Sequence, residues 1–139
     1  SLGTYHAPPE RFGSEAQFEA TFDHLTLALA SQAADCTILG GDANAELSAT
    51  EYPIPGVGHI LYGGEHSDRT EILTNFISAR GLTVANSFFG TAENAWTYEA
   101  DRTQRRKQIY YITVTGVRVL RAYPIDVVIK SSDHRIIEL

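Results

Sequence analysis

Cys36-Thr37-Ile38-Leu39-Gly40-Gly41-Asp42-Ala43-Asn44-Ala45 is the stretch on which the fold turns. A short apolar run ends in two glycines, and a carboxylate and a carboxamide follow two residues apart. Thr37 to Leu39 predict a buried strand, and the glycines let its end bend and let backbone approach a ligand. Asp42 and Asn44 then sit at the strand's C-terminal mouth, where open α/β sheets place their sites. Taken alone, Gly-Asp-x-Asn is equally an Asp/Asn turn closing a strand. Its meaning depends on what the rest of the chain brings to it.

To the N-terminal side, Leu2 to His6 predicts a strand that must leave the sheet at Ala7-Pro8-Pro9, because prolines cannot continue a ladder. Ser14 with Gln17 forms a capping-box pattern. Phe18, Phe22, Leu25 and Leu29 follow at helical spacing and predict one apolar stripe, with Glu15 favourable in the first turn and His24 on the surface. To the C-terminal side, Glu46 to His66 is too long and too rich in Gly and Pro for a simple connection, and it predicts a loop near the site. His59 and His66 in that loop are expected to be solvated or satisfied. Ser67 or Asp68 caps a helix to Arg80, with Leu73, Phe76 and Ile77 inward and Gly81 as its stop. Leu82 to Phe89 reads as the next strand, which makes residues 36–88 a βαβ-like unit on a mixed sheet. Short β-type runs follow at 95–98, 108–114, 117–123 and 135–139. Arg102, Arg105, Arg106 and Lys107 lie in a basic connector, read first as a solvated hairpin and second as a phosphate contact.

The bulk numbers fit one globular domain: 139 residues, 43% hydrophobic and 20% charged. No apolar run approaches the about 20 residues that span a bilayer, and no signal peptide is visible, so no membrane partner is expected. The single cysteine, Cys36, excludes an internal disulfide framework and predicts a buried thiol. Five histidines lack the close pairing of a zinc motif. A net charge of −6 argues against holding nucleic acid by bulk charge alone, but it leaves room for an enzyme that uses a divalent cation to meet a phosphate. The sequence contains no Met, even at position 1, which predicts a processed or excised piece.

The strongest partner for Asp42 and Asn44 is Ser131-Ser132-Asp133-His134, just before the last strand. Two acid-bearing strand ends far apart in sequence suit a hard cation such as Mg²⁺, which takes oxygen ligands from one or two carboxylates, waters and substrate phosphate.

With these pieces in order, the chain resembles the endonuclease/exonuclease/phosphatase superfamily of deoxyribonuclease-I-like and exonuclease-III-like enzymes. The resemblance rests on Tyr5-His6-Ala7-Pro8, Gly41-Asp42-Ala43-Asn44-Ala45, the Leu73–Phe89 helix and strand, Ala95-Trp96-Thr97, Gln108-Ile109-Tyr110-Tyr111-Ile112 and Ser132-Asp133-His134-Arg135. The wording is most similar to endonuclease domains of non-long-terminal-repeat retrotransposons and their domesticated relatives. It implies an α/β four-layer sandwich of two mixed sheets flanked by helices, of which residues 1–139 would be the C-terminal portion with the N-terminal half missing. It also implies phosphodiester hydrolysis dependent on Mg²⁺ or Mn²⁺, with DNA as substrate. A reverse transcriptase domain in the full-length protein and an intracellular setting, nuclear if the chain is retroelement-derived, belong to the same implication.

Carried over residue by residue, the resemblance makes His6 a phosphate contact and Asp42 the group that orients or deprotonates the attacking water. Asn44 would hold the phosphate or that water, Asp133 would bind the metal, and His134 would steady the charge on the scissile phosphate. Arg102, Arg105, Arg106 and Lys107 would lie near the substrate backbone. Tyr110 departs from the pattern, since the family has there the Asp that accepts a hydrogen bond from the catalytic His. By analogy with a serine protease that loses its orienting Asp, this costs roughly 10²–10⁴ in rate. Two other outcomes follow from the same residues: a phosphatase acting on a soluble or lipid phosphoester, and a catalytically dead retroelement remnant.

Overall fold

The computed structural model of the chain describes residues 1–11, 13–48, 53–125 and 132–139. Its fold is α/β. The strands are β1 (Leu2–His6), β2 (Thr37–Asp42), β3 (Thr83–Val84), β4 (Tyr98–Glu99), β5 (Arg106–Lys107), β6 (Tyr110–Thr115), β7 (Tyr123–Ile125) and β8 (Ile136–Glu138). The helices are α1 (Glu15–Ala30) and α2 (Asp68–Ala79). Both helices begin as the sequence predicts. Ser14 and Gln17 complete a capping box on α1, and Ser67 caps α2 with Thr70 as its reciprocal partner. Gly81 ends α2 at φ 59°, a left-handed position that glycine adopts at no steric cost.

The main sheet has the order β1-β2-β6-β3. β1 and β2 are parallel, whereas β6 runs antiparallel to both of its neighbours, so the sheet is mixed. β2, α2 and β3 form the expected crossover unit, with β6 inserted between the two parallel strands. One face of the sheet carries the core. Tyr5, Leu39, Val84 and Tyr111 meet Phe18 and Phe22 of α1 and Leu73, Phe76 and Ile77 of α2. Gly41 faces the same side against β1, and an added Cβ would lie 2.3 Å from the Tyr5 carbonyl oxygen. Only a residue without a side chain lets the two strands pair here.

On the other face, Ile38, Ile112 and Val114 pack with Ala85, Ala122 and Val119. β4 pairs with β5, β7 pairs with β8, and a single bridge from Tyr98 to His134 links the two ladders. Between this second group and the main sheet lies a cleft of about 660 Å³, whose walls include Gly40, Ile112, Ile136 and Ile137.

Several expectations are corrected. Residues 82–89 do not form one strand, because β3 stops at Val84 and residues 85–87 turn as a 3₁₀ helix. The Asn86 side chain takes over the ladder there, donating to the Tyr110 carbonyl and accepting from the Ile112 N–H. The 117–123 run is not a strand up to residue 122. The chain turns at Gly116 (φ 67°), and ladder pairing resumes only at Tyr123 opposite Glu138. Cys36 is half-buried rather than buried. Of the 46–66 loop, residues 49–52 lie outside the described residues. Of the described remainder, residues 56–60 close the β3 edge, where Gly56 accepts from Val84 while Gly58 and Ile60 donate to Ser87, and Leu47 and Tyr62 donate to the Tyr111 hydroxyl and the Gln108 side chain. His24, His59 and His66 are exposed, as expected.

Candidate active site

Register places three side chains in a row. His6 lies opposite Asp42 across the parallel pair, and Asp42 lies opposite Tyr110 across the antiparallel pair. Side chains of paired residues share a face, and Tyr5 and Tyr111, one position away, point into the helical core. His6, Asp42 and Tyr110 therefore emerge together on the opposite face. The row continues into the second ladder. The Tyr110 ring meets His134 edge-on at 5.0 Å between centroids, and the Tyr98 ring meets it at 5.2 Å. Residues 6, 42, 98, 110 and 134 are thus brought together from five separate stretches of chain.

Asp42 is 4% exposed, and its Oδ2 lies 3.7 Å from His6 Nε2. Its Oδ1 accepts from the Asn44 N–H at 2.9 Å, which closes an Asx turn. Asn44 sits in the left-handed region (φ 45°), which Asn tolerates better than most residues. Its Nδ2 donates one hydrogen to the Ala7 carbonyl at 2.7 Å, tying the β2 exit to the β1 exit. Burial pushes the Asp42 carboxyl above the usual Asp range; the Asn44 N–H, His134 and His6 pull it down, and Asp133 pushes it up. Burial also raises the Tyr110 hydroxyl, with Asp42 and Asp133 adding to the shift. Asp133 thus belongs to the same electrostatic group as Asp42.

His134 Nε2 lies 3.4 Å from Asp133 Oδ1, too long for a strong hydrogen bond. Its Nδ1 is buried and has no hydrogen-bond partner among the described residues. Tyr110 offers His134 a ring edge and no carboxylate. Ser131, the first residue of the terminal motif, lies outside the described residues. Ser132 Oγ accepts from the His134 N–H at 3.2 Å and shapes the turn.

The basic connector is a hairpin turn whose last two residues are β5. Arg106 pairs with Glu99 at 2.5 Å and stacks over Trp96, and Lys107 lies 3.9 Å from Glu46. Two of its four cations are therefore engaged by carboxylates, while Arg102 and Arg105 are exposed. Sequence reasoning missed the supports of the site. Thr97 Oγ1 accepts from both Ile109 and Tyr110, and Arg135 donates to the carbonyls of Asn94, Trp96 and Pro124. Tyr98 was readable only as part of a β-type run, since nothing local to it signals a histidine partner.

Among the described residues, no three His, Cys, Asp or Glu side chains converge as a metal-binding group. Asp42 and Asp133 remain a donor set of the kind Mg²⁺ accepts, one or two carboxylates completed by water and substrate oxygens. No helix among the described residues is long and apolar enough to cross a membrane. Comparison of the sequence with models of protein families and with curated proteins gives no match.

Proposed function

We propose that the chain is a divalent-metal-dependent phosphoesterase of the endonuclease/exonuclease/phosphatase superfamily, with DNA as its preferred substrate. What carries this reading is the convergence of His6, Asp42, Asn44, Asp133 and His134 at one end of the sheet, from motifs up to 128 positions apart. The four-layer sandwich belongs to the same proposal, as do a nuclear setting and a reverse transcriptase domain in the longer polypeptide.

In this reading, water attacks phosphorus and the bond to the leaving oxygen breaks, giving a monoester and an alcohol that takes its proton from solvent. Asp42 orients the water and takes its proton. The raised carboxyl makes it a better base than an exposed Asp. Asn44 fixes the distance between the two strand exits. His6, 66% exposed at its side chain, is the accessible contact for a phosphate oxygen. His134 donates from Nε2 to the oxygen on which negative charge develops. Bound Mg²⁺ or Mn²⁺, held by Asp133, would supply Lewis-acid stabilisation of that charge. Mg²⁺-dependent nicking of supercoiled plasmid tests the proposal: Asp42→Ala should abolish it, and continued cleavage by that variant refutes the assignment.

Two observations favour other readings. The apolar cleft of about 660 Å³ reaches His6, Tyr110 and His134 and, with the acidic net charge, suits a soluble or lipid phosphoester carrying an apolar group. Faster Mg²⁺-dependent turnover of such esters than of plasmid would establish that substrate. The buried Nδ1 of His134, without a hydrogen-bond partner among the described residues, favours a catalytically dead remnant, for which no phosphoester is turned over.

A further inference from the structure

Arg69 occupies the first turn of α2, where the helix dipole disfavours a cation, and the residue is only 2% exposed. Helix stability does not account for it. Its Nε pairs with Glu15 at 2.9 Å, its Nη1 donates to the Pro8 carbonyl at 2.6 Å, and its guanidinium lies 4.3 Å from the Phe18 ring centroid. Nη2 is buried with no partner among the described residues. A buried cation that leaves one donor unsatisfied is costly, so the bonds it does make must hold something that matters.

They hold the corner that follows His6. Ala7 donates its N–H to the Asp42 carbonyl and accepts from Asn44 Nδ2, and Arg69 grips the next carbonyl, that of Pro8. Pro8 and Pro9 have no N–H of their own to anchor this segment. We infer that Arg69 is a positioning residue: through Pro8 it sets the β1 exit and so the placement of His6 beside Asp42. The inference rests on the proposed role of His6 only for its catalytic consequence; the geometric coupling stands apart from it.

Histidine ring NMR on the 139-residue chain tests the coupling without any activity. Arg69→Met keeps the apolar stem over Phe18 and removes every donor. It should move or broaden the His6 ring signals and leave those of His24 and His59 in place. Glu15→Gln removes the charge of a side chain that is 57% exposed and leaves the Pro8 bond intact, so His6 should not respond. Unmoved His6 signals in folded Arg69→Met, or an equal response to Glu15→Gln, overturn the inference. If Arg69→Met fails to fold, Arg69→Gln, too short to make all three contacts, is read the same way. In the Mg²⁺-dependent plasmid assay, a displaced His6 should cost about 10²-fold in kcat; unchanged kcat beside displaced His6 signals overturns the proposed role of His6 and leaves the coupling standing. Failure of the wild-type chain to cleave counts against the proposed function alone, because the NMR measurement still decides the role of Arg69.

Discussion

Asn86 replaces a missing strand with one side chain, and removing that side chain has a calculable cost. β3 pairs with β6 only at Thr83–Val114 and Val84–Thr113. The next two backbone groups along β6 are served by the Asn86 amide, at 3.1 Å to the Tyr110 oxygen and 3.0 Å from the Ile112 nitrogen. Asn86 itself is 0% exposed. Asn86→Ala leaves one part-buried N–H and one part-buried carbonyl unpaired, at about 1–3 kcal/mol each, so the expected loss is roughly 2–6 kcal/mol. For a chain of this size that lowers Tm by about 6–24 °C. Urea unfolding should show a lower midpoint with an unchanged slope, because the surface exposed on unfolding is the same.

Asn86→Asp separates this account from simple loss of volume. The protonated acid accepts from Ile112 and donates to Tyr110, as the amide does, whereas the carboxylate faces the Tyr110 carbonyl without a proton. Its folded pKa is therefore raised above the unfolded value, so the variant's stability is retained below the unfolded pKa and lost as pH rises through the folded one. Relative to wild type at each pH, Asn86→Asp should be nearly neutral in acid and destabilised at pH 7. An Asn86→Ala loss below about 1 kcal/mol, or a pH-independent Asn86→Asp, refutes the reasoning.

Further outcomes concern the site itself. Tyr110→Asp supplies an acceptor for the buried His134 Nδ1 and should raise the Mg²⁺-dependent cleavage rate by roughly 10²–10⁴-fold, measured under single turnover. The same change puts a second carboxylate across the rung from Asp42, so the acid limb of the rate profile should move to higher pH. In wild type, kcat/KM should fall with decreasing pH through a limb above the ordinary Asp value of about 3.9, because Asp42 must be ionised and burial raises it. His6→Ala removes one of the neighbours that lower Asp42 and should push that limb further up. For stability the sign is opposite: the raised carboxyl stabilises the fold while protonated, and this contribution is lost as pH rises through its folded pKa. Asp42→Asn, which keeps the Asn44 bond, should therefore melt higher at pH 7 while losing activity.

Tyr110 also explains why the site is more than a collection of motif residues. A carboxylate there would both orient His134 and offset its charge. The tyrosine ring, with Tyr98, confines the imidazole by contact alone. In the proposed mechanism this contact would orient the imidazole without offsetting charge on it. Cleavage by wild type, compared with that of Tyr110→Asp, measures what the carboxylate adds over the ring contact.

The chain's own sequence determined its helices and the position of Asp42. The capping boxes at Ser14 and Ser67, the stripe from Phe18 to Leu29 and the stop at Gly81 all act within a few residues, as helix hydrogen bonds do. The apolar runs of β1, β2 and β6 were equally legible, and so was the turn that places Asn44 after Asp42. Tertiary structure alone decided what those strands pair with. A strand's hydrogen bonds go to segments tens of residues away, so nothing local tells Leu82–Phe89 to stop at Val84 or denies 117–122 a ladder partner. The same remoteness kept the row of His6, Asp42 and Tyr110 hidden, because it exists only in the β1-β2-β6 register. Residue 110 was visible in the sequence as a departure from a motif. Its effect on His134, a buried nitrogen with no acceptor among the described residues, is a property of the folded chain.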